Sequence, residues 1–444
     1  MKEINKEKAI ERFQMMLRKK TVSAKDDNFD KEEFASFLPM LKEIYPDVFM
    51  KVQAQLINEY GILVCLKGKN PNLDPVVLMA HHDVVSDEGQ DWKYPAFEAE
   101  IHDECIWARG AIDTKCLIAG VFEALDRLVK DGFTPERDIY FASSNCEEVA
   151  GDTMPKIVEW FKNNNIKPWF VLDEGGAIMT SLPMGIKTPF AMVALSEKGW
   201  ATVELTATAK TAAHSAKAAG SKVSAPVKLV RALDKLDKSP TTATITPALE
   251  GMLRSFAPYI DGPVSKVLSN INIFKPVVKK VMQTNADTAA MIRSAVNLTK
   301  LEAGKENGGI PDTAKATLSI KIAPQDKLSD IILHIKKVVG NEIKVEVIKS
   351  SEPPVISDYK TESFDYIKAT IKKVFPEVGV APFILNAGTD SRHFAKICKE
   401  VYRFGAFTLD DDLFATVHSA NERIPIKDYL KCIEFYTQLL VNLN

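Results

Sequence analysis

The chain has 444 residues, 46% of them hydrophobic and 26% charged, with a formal net charge of -2. That length predicts two domains with ample buried core, and the near-neutral balance excludes non-specific attraction to nucleic acid or an anionic membrane surface. Met1 to Lys20 mixes acids, bases and apolar residues and does not read as a secretory signal, and no stretch approaches the roughly 18 consecutive apolar residues of a membrane helix. The 6 cysteines are scattered without CxxC spacing, which predicts reduced thiols in a cytoplasmic protein.

The first elements are two amphipathic helices, one with Ala9, Phe13, Met16 and Leu17 on a single face, the next with Phe34, Leu38 and Leu41 behind an Asp30 cap. From about residue 51 strands and helices alternate: "GILVCLKG", "PVVLMAHHD", a long helix from Thr114, "DIYFASSN", a helix near 153 to 164, and "PWFVLDEGG". Short continuous apolar strands between helices indicate an α/β sheet covered on both faces. The helix after Thr114 carries Leu117, Val121, Leu125 and Leu128 as one stripe, with Gly132 as its stop.

After "LSEKG" the pattern changes. "WATVELTATA" alternates at period two, and a helix follows around Val223 to Leu236. Strands at "SAVNLTKLEAG" and "ATLSIKIAP", a helix at Leu328 to Val339 and a strand at "EIKVEVIKS" complete a small α+β unit. Residues 239 to 290 read as a helical insertion, and from about Val355 the α/β pattern resumes with "VYRFGAF". The expected organisation is therefore a larger α/β domain over 1–195 and 351–444, interrupted by a smaller domain over 196–350.

The polar residues at strand ends carry the chemistry. In "LMAHHDVV" the alternation of a strand puts His81 and Asp83 on one face and His82 on the other, and a histidine beside a carboxylate suits a metal ligand with a fixed tautomer. Asp113 in "WARGAIDTKC" sits at a helix start, where it could equally be a cap. Glu147 and Glu148 follow one buried strand and Asp173 and Glu174 another. Each of these has an ordinary reading as a polar strand end, but successive strands of an α/β sheet ending in His, Asp or Glu place those groups where such sheets bind ligands. With His418 in "TVHSANERIP", the ensemble reads as a two-metal carboxylate and histidine site.

In order, "AHHDVV", "RGAIDTK", "EEVAG", "LDEGG", "EKGW", "AHSA", "GTDSR" and "HSANERI" resemble the dizinc hydrolase family of aminoacylase, carboxypeptidase S, acetylornithine deacetylase and succinyl-diaminopimelate desuccinylase. The resemblance runs from about residue 75 to the C-terminus, and "LDEGG" and the long insertion look most like the carboxypeptidase S branch. It implies a zinc-peptidase-like catalytic domain, with a mixed sheet between helices, and an inserted ferredoxin-like α+β lid that can also form a homodimer.

The same resemblance implies two Zn2+ ions, replaceable by Co2+ or Mn2+, with Asp113 bridging them, His81 and Asp173 completing one and Glu148 and His418 the other. Two such ions bring the pKa of a shared water toward about 7. Glu147 is then the general base, Asp83 the partner that orients His81, and His214 the oxyanion stabiliser. A cis peptide joins Asp113 to Thr114. Substrate contacts fall to Asn307, to Lys321, where the family usually has arginine, and to Arg392 as the clamp for a carboxylate. The expected activity is hydrolysis of a dipeptide or N-acyl amino acid with a free carboxylate; the competing readings are a biosynthetic deacylase of an acylated diamino acid and a non-catalytic metal-dependent binding protein.

Overall fold

A computed structural model describes residues 3–25, 28–209, 224–304 and 309–443. The apolar runs Val76–Met79, Ile139–Ser143, Phe170–Asp173 and Val401–Arg403 are fully buried strands. They lie side by side in the order 139–143, 76–79, 170–173, 401–403, all parallel. Parallel neighbours end on the same edge, so the segments that follow them converge there. Gly61–Leu66 and Val52–Ile57 extend the sheet antiparallel on one side, Phe190–Glu197 on the other carries Gly379–Leu385 in parallel, and the two-residue strands Ile178–Met179 and Thr408–Leu409 bring this mixed sheet to ten strands.

Helices cover both faces, as continuous apolar strands require. On one face lies Lys115–Lys130, with Leu117, Val121, Leu125 and Leu128 all buried, packed by the C-terminal helix Ile426–Val441. These two helices come unusually close: a Cβ at Gly120 would stand 2.8 Å from Cys432 Sγ. The N-terminal helices Lys6–Leu17 and Lys31–Ile44 close this layer through Phe13, Met16, Leu17, Leu38 and Leu41, and Asp30 caps the second by accepting from the Glu32 and Glu33 amides. On the opposite face Thr153–Asn163 packs Met154, Ile157 and Phe161 against Val77, Tyr140 and Val171.

The chain runs directly from Phe190–Glu197 into Gly199–Thr208, the first strand of a separate antiparallel sheet. Its four strands lie in the order 295–303, 313–322, 199–208, 343–351, with Ala225–Asp237 and Leu328–Val339 packed on it around Leu205, Leu229, Ile320 and Ile335. The helices from Pro247–Phe256 to Ile271–Met282 seat elsewhere. Leu249, Met252, Phe256 and Ile271 join Phe190, Met192 and Ala381, so this insertion packs on the larger sheet rather than on the small one that flanks it in sequence. Its buried apolar positions find their partner across the edge strand pair 190–197 and 379–385.

A third sheet has three short strands, 423–425, 105–107 and 100–102, all antiparallel. It draws the turn that precedes Arg423 onto the loop that follows Trp107.

Candidate active site

His81 follows Val76–Met79 by two residues and is buried. Its Nδ1 donates to the backbone carbonyl of Asp83 at 2.9 Å, leaving the Nε2 lone pair directed outward, 2.9 Å from Asp113 Oδ1. The Asp83 carboxylate, paired with His81 by the sequence pattern, lies 3.5 Å from the same Nδ1, and its two oxygens also accept the amides of Glu147 and Glu148, each at 3.1 Å. His82 turns the other way into the core, with Nδ1 at 2.8 Å from Ser143 Oγ and its ring stacked on Phe37.

Asp113 does not cap the helix that follows. That helix starts at Lys115 without a side-chain cap, and a cis peptide joins Asp113 to Thr114. The free carboxylate lies between two histidines, Oδ1 at 2.9 Å from His81 Nε2 and Oδ2 at 2.9 Å from His418 Nε2, and His418 Nε2 is also 3.0 Å from Glu148 Oε2. The donor atoms of His81, Asp113 and Glu148 all fall within 4.8 Å of one another. The His81 side chain is 2% exposed and that of His418 53%, so the site is closed at His81 and open to solvent at His418.

Electrostatics follow from this crowding. Burial would lower the pKa of His81, but Asp113 and Asp83 hold it well above the ordinary imidazole value. Asp113, followed by Glu148, raises His418 to about 10. Glu147 is pushed well above the usual carboxylate range by burial, with Asp390, Glu174 and Glu148 adding repulsion, and Glu148 is raised by burial and by Asp113. An imidazole lone pair and a carboxylate oxygen 2.9 Å apart require a cation between them, whether proton or metal. Glu148 Oε1 is moreover buried without a hydrogen-bond partner. A hard, imidazole-containing donor set of this kind fits Zn2+ or a similar divalent ion.

Asp173 ends its strand with Oδ2 accepting the Ser391 amide at 2.9 Å. Its neighbour Glu174 lies within electrostatic reach of Asp113, His81 and Glu148. Burial raises its pKa well above the usual range, and the charges of Asp113, Asp173 and Glu148 raise it further. Asp390, raised to about 7 by burial, contacts Ser144 Oγ and lies within electrostatic reach of Asp173 and Asp83.

Arg392 lies on the Asp390–Lys396 turn with Nη1 3.8 Å from Glu197 Oε1, an oxygen that has no hydrogen-bond partner. The other Glu197 oxygen binds Thr389 N at 2.9 Å, Thr389 Oγ1 at 2.8 Å and Arg403 Nε at 2.9 Å. The guanidinium of Arg392 is thus held loosely. Lys321 is exposed on the small sheet, opposite Trp200 and Ala295, and its charge is felt by Lys198. His214 and Asn307 lie outside the described residues.

Comparison with known proteins places these observations. A family model described as "Peptidase family M20/M25/M40" matches residues 77–442. "Probable carboxypeptidase S-like 2" of Dictyostelium discoideum is 33% identical over 436 residues, covering 95% of this chain and 82% of that protein. "N-fatty-acyl-amino acid synthase/hydrolase PM20D1.1" of Danio rerio is 30% identical over 444 residues, covering 98% and 86%. Among solved structures, the M20 family metallo-carboxypeptidase Sso-CP2 from Sulfolobus solfataricus superposes with a TM-score of 0.66 at 19% identity, over 97% of this chain and 98% of that one, which establishes a common fold.

Proposed function

The chain belongs to peptidase family M20/M25/M40 and is a metal-dependent amide hydrolase, and from that premise we propose that it cleaves an amide next to a free amino-acid carboxylate, in a dipeptide or an N-acyl amino acid. The observation that carries this reading is the Asp113 carboxylate, with one oxygen 2.9 Å from His81 and the other 2.9 Å from His418. A carboxylate shared in this way suits a bridge between two metal ions. One relative above is named as a carboxypeptidase and the other as an N-fatty-acyl-amino acid synthase/hydrolase, which supports the substrate class.

Two Zn2+ ions, with Co2+ or Mn2+ as substitutes, are assigned to His81, Asp113, Glu148, Asp173 and His418, and Glu174 is a further donor on the Asp173 side. When bound, they supply Lewis acidity, making water acidic near neutral pH and polarising a carbonyl. Glu147 accepts the proton of the attacking water and returns it to the leaving nitrogen. Burial shifts its pKa upward, the direction that suits proton transfer near neutral pH. Glu147 and Glu148 are adjacent, but Glu148 is within 3.0 Å of His418, which supports ligation by Glu148 and leaves Glu147 to move protons.

Arg392, loosely held by Glu197, binds the substrate carboxylate. His214 is assigned to the oxyanion, from its own chain or a second copy, and Asn307 and Lys321 to the substrate side of the small domain, which acts as a lid and a homodimer surface. The six cysteines are all free, which supports a cytoplasmic location, and among the described residues no helix is long and apolar enough to cross a membrane.

The test is a hydrolysis screen on protein of measured metal content, varying acyl group and amino acid separately and pairing each free acid with its C-terminal amide. Turnover of free acids and not of amides supports the reading. Binding of the panel without hydrolysis would instead support a non-catalytic binding protein, and a narrow preference for acylated diamino acids a biosynthetic deacylase.

A further inference from the structure

Glu422 has no part in the reaction proposed above, yet its side chain is fully buried and every contact it makes leads to the metal cluster. Oε1 accepts the amides of Ile112 at 2.8 Å and Asp113 at 3.1 Å; Oε2 accepts the Gly110 amide at 3.0 Å and Arg109 Nη1 at 2.8 Å. Gly110 has a φ of 84°, a conformation open to glycine, and this curls three amides of one turn onto a single carboxylate.

The network continues beyond Arg109. Arg109 Nη2 donates to Gln90 Oε1 at 2.7 Å, and Gln90 Nε2 donates to the His418 carbonyl at 3.2 Å. The Ala108 amide donates to the Glu422 carbonyl at 3.1 Å, in line with the antiparallel pairing of Arg423 and Trp107. The backbones that carry Asp113 and His418 are therefore tied together by one hydrogen-bonded set of Glu422, Arg109 and Gln90, independently of the contact between their side chains. Stability alone does not favour this arrangement, because a buried ion pair is often no better than apolar packing of the same volume. What it adds is a fixed geometry.

We propose that Glu422, acting with Arg109 and Gln90, is a positioning residue that sets the separation of Asp113 and His418 and thereby the affinity of the cluster for its metal ions. The proposal rests on the metal-site assignment above. Groups that orient metal ligands typically contribute 10–100-fold to metal affinity or activity.

The experiment is a Zn2+ competition titration against a chelating dye, on full-length wild type, Glu422→Gln and Gln90→Ala, with kcat and KM determined at limiting and at saturating Zn2+. Glu422→Gln keeps the length of the side chain but turns an amide N–H toward backbone N–H groups. Its Zn2+ affinity should fall about 10–100-fold, with kcat reduced at limiting metal, partly restored by excess Zn2+, and KM little changed. Gln90→Ala removes the link to His418 at a partly exposed position and should weaken binding about threefold to tenfold, below the full loss of an orienting group, with its melting temperature unchanged. A merely structural role would lower the melting temperature of Glu422→Gln and leave the Zn2+ affinity of the folded protein intact. Wild-type Zn2+ affinity in Gln90→Ala, whatever the solubility of the other variant, overturns the positioning role. Wild-type protein that takes up no Zn2+ overturns the metal-site assignment as well.

Discussion

The Asp83 carboxylate accepts the amide of Glu147 on one oxygen and that of Glu148 on the other, each at 3.1 Å. One buried acid thus holds the peptide units of two adjacent acids. The two acids open a tight turn in which the Ala150 amide donates to the Glu147 carbonyl at 2.8 Å, and fixing this backbone lets the Glu148 side chain meet His418. Asp83→Asn keeps one acceptor and turns an NH2 toward the second amide. Its kcat should fall about 10–100-fold with weakened metal binding; kinetics together with metal analysis after dialysis would show it, and wild-type values for both would remove Asp83 from the site.

Glu147→Gln should separate metal binding from proton transfer. Loss of a general base costs about 10²–10⁴-fold, so kcat should fall in that range while metal content by elemental analysis stays that of wild type. Undiminished turnover on a good N-acyl amino acid substrate would transfer the role to another group.

Arg392→Ala should abolish the preference for a free acid over its amide, chiefly through a higher KM, because an ionic hydrogen bond to the carboxylate is removed. Arg392→Lys should recover part of the preference as a point charge without the fork. If the preference survives in Arg392→Ala and disappears in Lys321→Ala, the clamp lies on the small sheet.

His393 predicts a pH effect on stability. Burial, followed by the charges of Arg392 and Lys396, lowers its pKa to about 4, whereas in the unfolded chain it titrates near about 6.5. Its contribution is complete above pH 6.5 or so. As the pH falls from there toward 4 the unfolded chain takes up a proton that the folded chain does not, and stability is lost. Denaturant midpoints measured across this window should decline in wild type and decline less in His393→Gln.

Arg12 should be a stability residue without a catalytic effect. It is 4% exposed, with Nη1 3.0 Å from Glu123 and 3.1 Å from Asp126, and Glu123 also accepts the Tyr45 hydroxyl at 2.9 Å. Arg12→Ala leaves the buried Glu123 carboxylate without its cation and Asp126 with Lys130 alone, at 2.7 Å, and should cost about 3–5 kcal/mol in unfolding free energy. Equilibrium denaturation measures this, and a loss below about 1 kcal/mol would place the pair among the weak, solvent-screened kind.

The alternation of short apolar strands with amphipathic helices was legible because it depends on neighbours within a turn or a strand, and the helix Leu328–Val339 lies where the sequence pattern put it. The helical insertion was legible as helices, but its seat on Phe190, Met192 and Ala381 was not. An apolar face states that it needs a partner and not which one. The short strands 100–102 and 105–107 are not legible for a related reason, since three residues carry too little periodicity.

Sequence by itself determined that acids and histidines stand at the ends of successive strands, since chain direction and strand termini are local properties. Only the tertiary structure decided how they meet. Pairing of 423–425 with 105–107 brings His418 onto Asp113 and buries Glu422 against the turn before it. It also decided that Asp83 reaches His81 through its carbonyl as well as its carboxylate, while the same carboxylate holds the amides of two glutamates. Adjacent acids are equivalent as letters. They become different when the packing around them brings a partner to one and not to the other, as His418 comes to Glu148.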